Sequence, residues 1–221
     1  AVPEMRIRFS TSNPQDMKDD VLEAIAAHPN ICKYIHLPVQ SGSSRILKAM
    51  NRGHNREEYL ALVDRIRRII PGCGISQDMI SGFPGETEED HQETLSLMEY
   101  VKYDFGYMFA YSERPNTFAA RKLEDSIPLE VKKRRLNEVI EAQQRHSAER
   151  NSAHIGQTVE VLVEGRSKRS EADLYGRTTE NNVVVFAREN YQAGQWVMVE
   201  IERSTAATLL GRAVGYARNP R

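Results

Sequence analysis

The chain has 221 residues, 40% of them hydrophobic and 28% charged, with 30 Lys and Arg against 31 Asp and Glu for a formal net charge of −1. This composition excludes a disordered chain, and no apolar run approaches the ~20 residues of a membrane-spanning helix, so a soluble, cytoplasmic protein is expected. The balanced charge gives no surface-wide attraction to nucleic acid, so any RNA contact has to come from a local patch.

In chain order, residues 1–145 alternate apolar strands with helical patterns, which predicts βα units and a parallel sheet. Met5–Phe9 alternates with period two and reads as a strand, followed by a turn over Ser10–Pro14 and helical spacing over Met17–Ile25. Ile31–Val39 reads as the next strand, ended by the polar, glycine-bearing turn Gln40-Ser41-Gly42-Ser43. Helical spacing resumes over Arg45–Met50, and Gly53 of Asn51-Arg52-Gly53 stands where a helix C-cap glycine belongs. Glu57–Ile70 is a second amphipathic helix, stopped at Pro71-Gly72. Ile75–Phe83 is a third strand, Pro84-Gly85 a turn, and Thr87-Glu-Glu-Asp90 a capping-box-like helix start. Phe105–Tyr111 is a fourth strand, and the charged, proline-free stretch Leu129–His154 reads as one exposed helix linking two domains.

From Gly156 onward short strands recur between turn residues, over 158–163, 174–178, 183–186, 196–201 and 209–214. Five such strands predict a small antiparallel barrel of the kind that binds oligonucleotides. The expected division is therefore residues 1–154, an α/β part with its linking helix, and residues 155–221, the barrel. Trp196, inside Trp-Val-Met-Val, reads as barrel core.

Two turns carry chemistry beyond what a simple connection needs. His36-Leu-Pro-Val-Gln-Ser-Gly-Ser43 places polar groups at the carboxyl end of a strand, where parallel α/β folds bind ligands. Asp78-Met-Ile-Ser-Gly-Phe-Pro-Gly-Glu86 sets an acid in an apolar strand, followed by glycines that let a ligand approach the backbone. An Asp so placed needs a partner, and a sugar hydroxyl pair or a backbone amide would each serve. In the barrel, arginines and lysines beside turns, with Tyr175, Phe186, Tyr191 and Trp196, offer phosphate contacts and stacking rings. Cys32 and Cys73 stand too far apart for a CxxC metal pair and read as buried thiols. His28, His54, His91, His146 and His154 show no ligand spacing and read as surface residues.

Taken together, His36–Ser44, Met50–Gly53, Arg56-Glu-Glu-Tyr59, Asp78–Thr87 and Tyr111-Ser-Glu-Arg-Pro-Asn-Thr117 resemble the radical-SAM methylthiotransferases. The tail, with Val161–Lys168, Leu174–Thr178 and Asn182–Phe186, is similar to the TRAM domain of the branch that modifies tRNA. The implied fold is α/β: the C-terminal portion of a partial (β/α)6 radical-SAM barrel, followed by a small antiparallel OB-like barrel. The implied reaction adds a methylthio group to carbon 2 of the isopentenyladenosine beside the anticodon, at tRNA position 37. Implied cofactors are S-adenosyl-L-methionine and two 4Fe-4S clusters. Neither cluster's cysteine set occurs in this chain, so those ligands are expected upstream of Ala1, and this polypeptide alone is expected to be inactive and to bind no cluster. Implied partners are a tRNA carrying isopentenyladenosine and an electron donor such as flavodoxin, with no membrane.

By the same resemblance Gln40 and Asp78 hydrogen-bond the ribose hydroxyls, Arg52 pairs with the methionyl carboxylate, and Ile80 packs on adenine. Backbone at Ala110 and Tyr111 completes the adenine pocket, with Ser41 and Gly82 in the flanking turns. An Asp accepts from two hydroxyls and an arginine fork matches a carboxylate, so the chemistry agrees with these roles. Arg166, Lys168, Arg177 and Phe186 are the expected RNA-binding residues, and none is assigned to catalysis or a metal. Two other readings remain at this stage: a sibling branch that modifies ribosomal protein S12, and a non-catalytic RNA-binding module.

Overall fold

The computed structural model describes residues 5–10, 13–115 and 118–218. Thr11 and Ser12 of the first expected turn, and Asn116 and Thr117 of the Tyr111–Thr117 motif, lie outside the described residues. Three parallel strands, β1 (Tyr34–His36), β2 (Gly74–Ser81) and β3 (Phe105–Ala110), form one sheet in that order. Met5–Phe9 makes no strand: it meets the α/β part through a parallel bridge between Ile7 and Ile31 and through Phe9, which packs on the core. Helices α1 (Asp19–Ala27), α2 (Ser44–Ala49), α3 (Arg56–Ile69), α4 (Glu88–Val101), α5 (Phe118–Lys122) and α6 (Leu129–Ser152) complete the α/β part.

The period of two along the strands separates two faces of this sheet. Ile35, Leu37, Ile75 and Met79 point into the apolar core with Leu62, Ile66, Leu97, Met98 and Val139 from the helices. The opposite face carries Tyr34, His36, Ser76, Asp78, Ile80, Phe105, Tyr107 and Phe109, joined by the registers His36↔Ser76, Asp78↔Tyr107 and Ile80↔Phe109. Tyr107 and Phe109 on that second face are 55% and 54% exposed.

Two capping boxes start the long helices. Asn55 and Glu58 exchange side-chain and backbone hydrogen bonds at α3, and Thr87 and Asp90 do the same at α4, as the Thr-Glu-Glu-Asp pattern predicts. The expected glycine cap after α2 is not used. Asn51 takes the left-handed conformation at φ 56°, and Gly53 instead abuts the Gln15 side chain, where a Cβ would collide.

Helix α6 corrects the expectation of an exposed linker: it packs along the α/β sheet, with Val139 and Ala142 in the core. Its buried stripe is mostly polar, which is why hydropathy alone misses it. Gln143 donates to the Tyr103 carbonyl (3.0 Å), Ser147 to the Asp104 carbonyl (2.7 Å), and Arg135 to Glu86 (2.9 Å). His146 and His91 are fully buried, not surface residues, and bond Glu99 (3.0 Å) and Glu138 (2.6 Å); His54 is also buried. Most of these buried groups find partners, while His54 Nε2, His146 Nδ1 and Arg135 Nε are left without one.

The second unit is a closed barrel of β4 (Thr158–Ser167), β5 (Ser170–Arg177), β6 (Val183–Ala187), β7 (Trp196–Ser204) and β8 (Leu209–Tyr216), in the order β4-β5-β6-β8-β7. Val161, Val163, Leu174, Val184, Phe186, Val197, Val199, Ile201 and Leu209 fill its interior. It is not wholly antiparallel, because closure pairs β6 with β8 in parallel. The barrel seats against the N-terminal ends of the sheet strands. Lys33 N–H donates to Thr179 Oγ1 (3.1 Å), Asn151 of α6 donates to the Thr205 carbonyl (2.9 Å), and Asn182 donates to Asn151 (3.1 Å).

Candidate cofactor site and candidate RNA surface

At the carboxyl ends of β2 and β3 a cavity of about 610 Å³ opens toward solvent. Gln40, Arg52, Asp78, Ile80, Ala110 and Tyr111, six of the residues expected to hold a cofactor, line it together with Phe83 and Phe109. Chain order does not bring these residues together; the parallel sheet does, because Asp78 and Ile80 share a face of β2 and lie beside β3. Gln40 sits at the end of the β1 path, bridged to Met79, with its N–H on the Asp78 carbonyl and its own carbonyl taking the Ile80 N–H (both 2.9 Å). Its φ of 77° is a left-handed conformation that costs a non-glycine residue of order 1 kcal/mol, the kind of strain that gathers at binding sites. Phe83 meets Tyr111 edge to face at 5.2 Å, and the Lys132 ammonium lies 5.2 Å from the Tyr111 ring centre.

Charges of both signs line the cavity, Arg52 and Asp78 among them. Burial lowers the Arg52 guanidinium from its ordinary value and the Asp78 carboxylate partly restores it, so the two stand within electrostatic reach on one wall. Asp78 has a partner that sequence reading did not assign: His36 Nε2 lies 3.5 Å from its Oδ2. The remaining expected residues stay out of the cavity. Ser41 is buried and faces α4, with its Oγ 3.5 Å from Thr94 Oγ1. Gly82, at φ 79°, gives its N–H to Glu86 Oε2 (2.8 Å) and packs on Lys132, so it shapes the turn.

That turn is clamped by a buried ion pair. Glu86 Oε2 accepts from Arg135 at 2.9 Å with both side chains nearly inaccessible. Burial raises the Glu86 carboxyl against the opposing pull of the Gly82 N–H and Arg135. At the other turn, Asp90 takes Ser43 Oγ (2.6 Å), the Arg45 guanidinium and the Thr87 N–H (2.7 Å), which joins the start of α2 to the start of α4. Burial alone would raise Asp90, but these donors outweigh it and hold its carboxyl down at about 2.

Cys32 and Cys73 are both buried, outside the cavity, and burial pushes the Cys73 thiol up to about 12. An iron–sulfur cluster is held by thiolates, and these two thiols do not fit one. Among the described residues Glu88, His91 and Glu138 bring ligand atoms within 4.8 Å of one another, but Arg134 and Arg135 already neutralise their carboxylates.

On the barrel, Arg166 on β4 and Lys168 in the turn after it are exposed. Arg177 is engaged, with Glu164 (3.3 Å) and Asn181 (3.1 Å), at a second cavity of about 790 Å³ between sheet and barrel. Phe186 is corrected: strand alternation turns its ring inward, leaving 2% exposure, so it cannot stack a base. Trp196 is corrected in the other direction. Its ring is half-buried between the guanidinium groups of Arg6 and Arg218, 4.2 and 3.6 Å from the ring centre, and Glu160 pairs with both. Among the described residues no helix is long and apolar enough to cross a membrane.

Comparison with known proteins agrees with this architecture. Residues 1–98 match the Radical SAM superfamily, and residues 153–214 match the TRAM domain. The chain is 64% identical over 219 residues to the tRNA-2-methylthio-N(6)-dimethylallyladenosine synthase of Christiangramia forsetii, covering 99% of this chain and 46% of that protein. The proteins of the same name from Flavobacterium psychrophilum and Phocaeicola vulgatus are 60% and 59% identical, each over 97% of this chain and 45% and 47% of their own lengths. The chain thus spans about half the length of the curated relatives it matches. A solved radical SAM enzyme, coproporphyrinogen III oxidase from Escherichia coli, shares the fold over 77% of this chain and 46% of its own, with a TM-score of 0.52 at 18% identity. The chain thus carries a Radical SAM match in its α/β part and a TRAM match in its closed barrel, and along nearly its whole length it is similar to part of the tRNA-2-methylthio-N(6)-dimethylallyladenosine synthases.

Proposed function

We propose that the cavity at the ends of β2 and β3 is the S-adenosylmethionine site of a tRNA methylthiotransferase, and that the whole protein adds a methylthio group to carbon 2 of isopentenyladenosine at tRNA position 37. The observation that carries this reading is the gathering of Gln40, Arg52, Asp78 and Ile80 in one cavity of about 610 Å³. Asp78 and Gln40 accept and donate to the ribose hydroxyls, the Arg52 fork takes the carboxylate of the methionyl group, and Ile80 covers one face of adenine. The Tyr111 N–H is spent on the Ser81 carbonyl (2.8 Å), so Tyr111 offers the adenine edge its carbonyl and ring. When bound and reduced, S-adenosylmethionine supplies a radical that removes hydrogen from the substrate. The residues described here hold and orient that molecule; the two 4Fe-4S clusters and their thiolates are assigned to chain outside these 221 residues.

The barrel's share of the work is contact with the tRNA backbone through Arg166 and Lys168, with Arg177 tied into the barrel-to-sheet seat. The reaction places the whole protein in the cytoplasm with a low-potential electron donor such as flavodoxin. The test is mass spectrometry of tRNA nucleosides from a strain lacking the full-length gene, complemented with wild type or Asp78→Ala. Loss of the methylthio nucleoside, restored by wild type and poorly by the variant, supports both the tRNA reading and the role of Asp78. An unchanged nucleoside in the deletion strain refutes the tRNA reading.

A further inference from the structure

The Asp78 carboxylate is reached by a line of polar side chains that begins at Tyr34, beside the barrel. Arg177 donates to Asn181 Oδ1 (3.1 Å), and both line the cavity between barrel and sheet into which Tyr34 and His36 face. Tyr34 OH lies 2.6 Å from Ser76 Oγ, Ser76 Oγ lies 2.8 Å from His36 Nδ1, and His36 Nε2 lies 3.5 Å from Asp78 Oδ2. Tyr34 and Ser76 are buried and His36 is half-buried, so water does not compete freely for these groups.

Proton counting gives the line a direction. Each hydroxyl has one hydrogen to give. Because His36 Nε2 faces a carboxylate, which only accepts, Nδ1 takes the Ser76 proton and Ser76 takes the Tyr34 proton. The ring's own hydrogen is then on Nε2, facing Asp78. The reverse order would set the Nε2 lone pair against the Asp78 carboxylate. Burial raises the Tyr34 hydroxyl, which keeps it a donor.

We propose that His36 is a positioning residue that holds the Asp78 carboxylate for the ribose of the bound cofactor, with its ring proton set through Ser76 and Tyr34. The 3.5 Å separation tightens to a hydrogen bond when a ligand fixes Asp78, as long contacts do at binding sites. This rests on the cofactor reading of the cavity, and two readouts separate its failure from the failure of that reading.

The first is a long-range ¹H–¹⁵N correlation spectrum of the His36 ring in the ¹⁵N-labelled 221-residue chain at pH 8, assigned by its loss in His36→Gln. A predominantly Nε2-protonated ring is expected, becoming a tautomer mixture in Ser76→Ala. An Nδ1-protonated ring in the wild type overturns the proposal, and an unchanged ring in Ser76→Ala overturns the part given to Ser76. The second is calorimetric titration with S-adenosylhomocysteine. His36→Ala is expected to bind about tenfold more weakly, and His36→Gln, which keeps a donor, within about threefold of wild type. Wild-type affinity in His36→Ala overturns the positioning role. No binding by the wild-type chain overturns the cofactor reading, while the ring spectrum still decides the proton order.

Discussion

At the residue scale, Asp78 and Phe186 separate what local sequence reveals from what it hides. Asp78 stands out in the sequence because an acid inside an apolar strand demands a partner. The structure supplies one in His36, four residues before Gln40 in a neighbouring strand path. Phe186 shows the opposite case: beside basic residues it looks like a stacking platform, but the period of two puts it inward, and neighbouring composition cannot show which way a strand faces until the barrel closes. Phe186→Ala should therefore cost about 3–5 kcal/mol of stability in denaturant titration, through lost contacts and a cavity, with RNA affinity per folded molecule unchanged. Arg166→Ala and Lys168→Ala should do the reverse, leaving the melting temperature in place while weakening tRNA binding. Each should lower the slope of log affinity against log salt by about one, read by filter binding at several salt concentrations.

At the scale of elements, α4 and α6 differ in how much the sequence shows. The start of α4 was legible because Thr87 and Asp90 act locally, at fixed spacing. The seat of α6 was not, because its buried face is made of Arg135, Gln143, His146, Ser147 and Asn151, whose partners lie far along the chain. Removing one member of the Arg135–Glu86 pair should be severe, since the other stays buried and charged. Arg135→Ala is expected to cost about 3–5 kcal/mol, while a paired change of both residues to apolar ones recovers much of that, measured as a double-mutant cycle. Asp90 gives a pH signature. Its carboxyl is held at about 2 when folded against an ordinary value near ~4, so its contribution is present above that ordinary value and is lost as pH falls from there through about 2. Asp90→Asn should lower stability at pH 7 and flatten that part of the acid-unfolding profile, followed by urea titration at stepped pH.

At the scale of the whole molecule, the TRAM barrel is a rigid neighbour of the sheet, not a unit on a solvated tether. The Arg6–Trp196–Arg218 sandwich closes one side of the seat, and Asn151 and Lys33 bond barrel groups on the other. Gly74 allows the approach: a Cβ there would lie 2.4 Å from the Glu180 carbonyl oxygen. Gly74→Ala should push the barrel off the sheet without unfolding it, so calorimetry should resolve two transitions where the wild type has one. Periodicity, capping residues and turn chemistry were enough to specify an α/β part followed by a five-stranded barrel, because those signals are local and repeat along the chain. The residue motifs likewise singled out Gln40, Arg52, Asp78 and Ile80 before any coordinates. Only the tertiary structure decided that these residues share one cavity, that His36 faces Asp78, that α6 is packed, and that Phe186 is core while Trp196 is a clamp. Each of those outcomes depends on contacts between distant segments, which parallel pairing and barrel closure create and which no window of sequence contains.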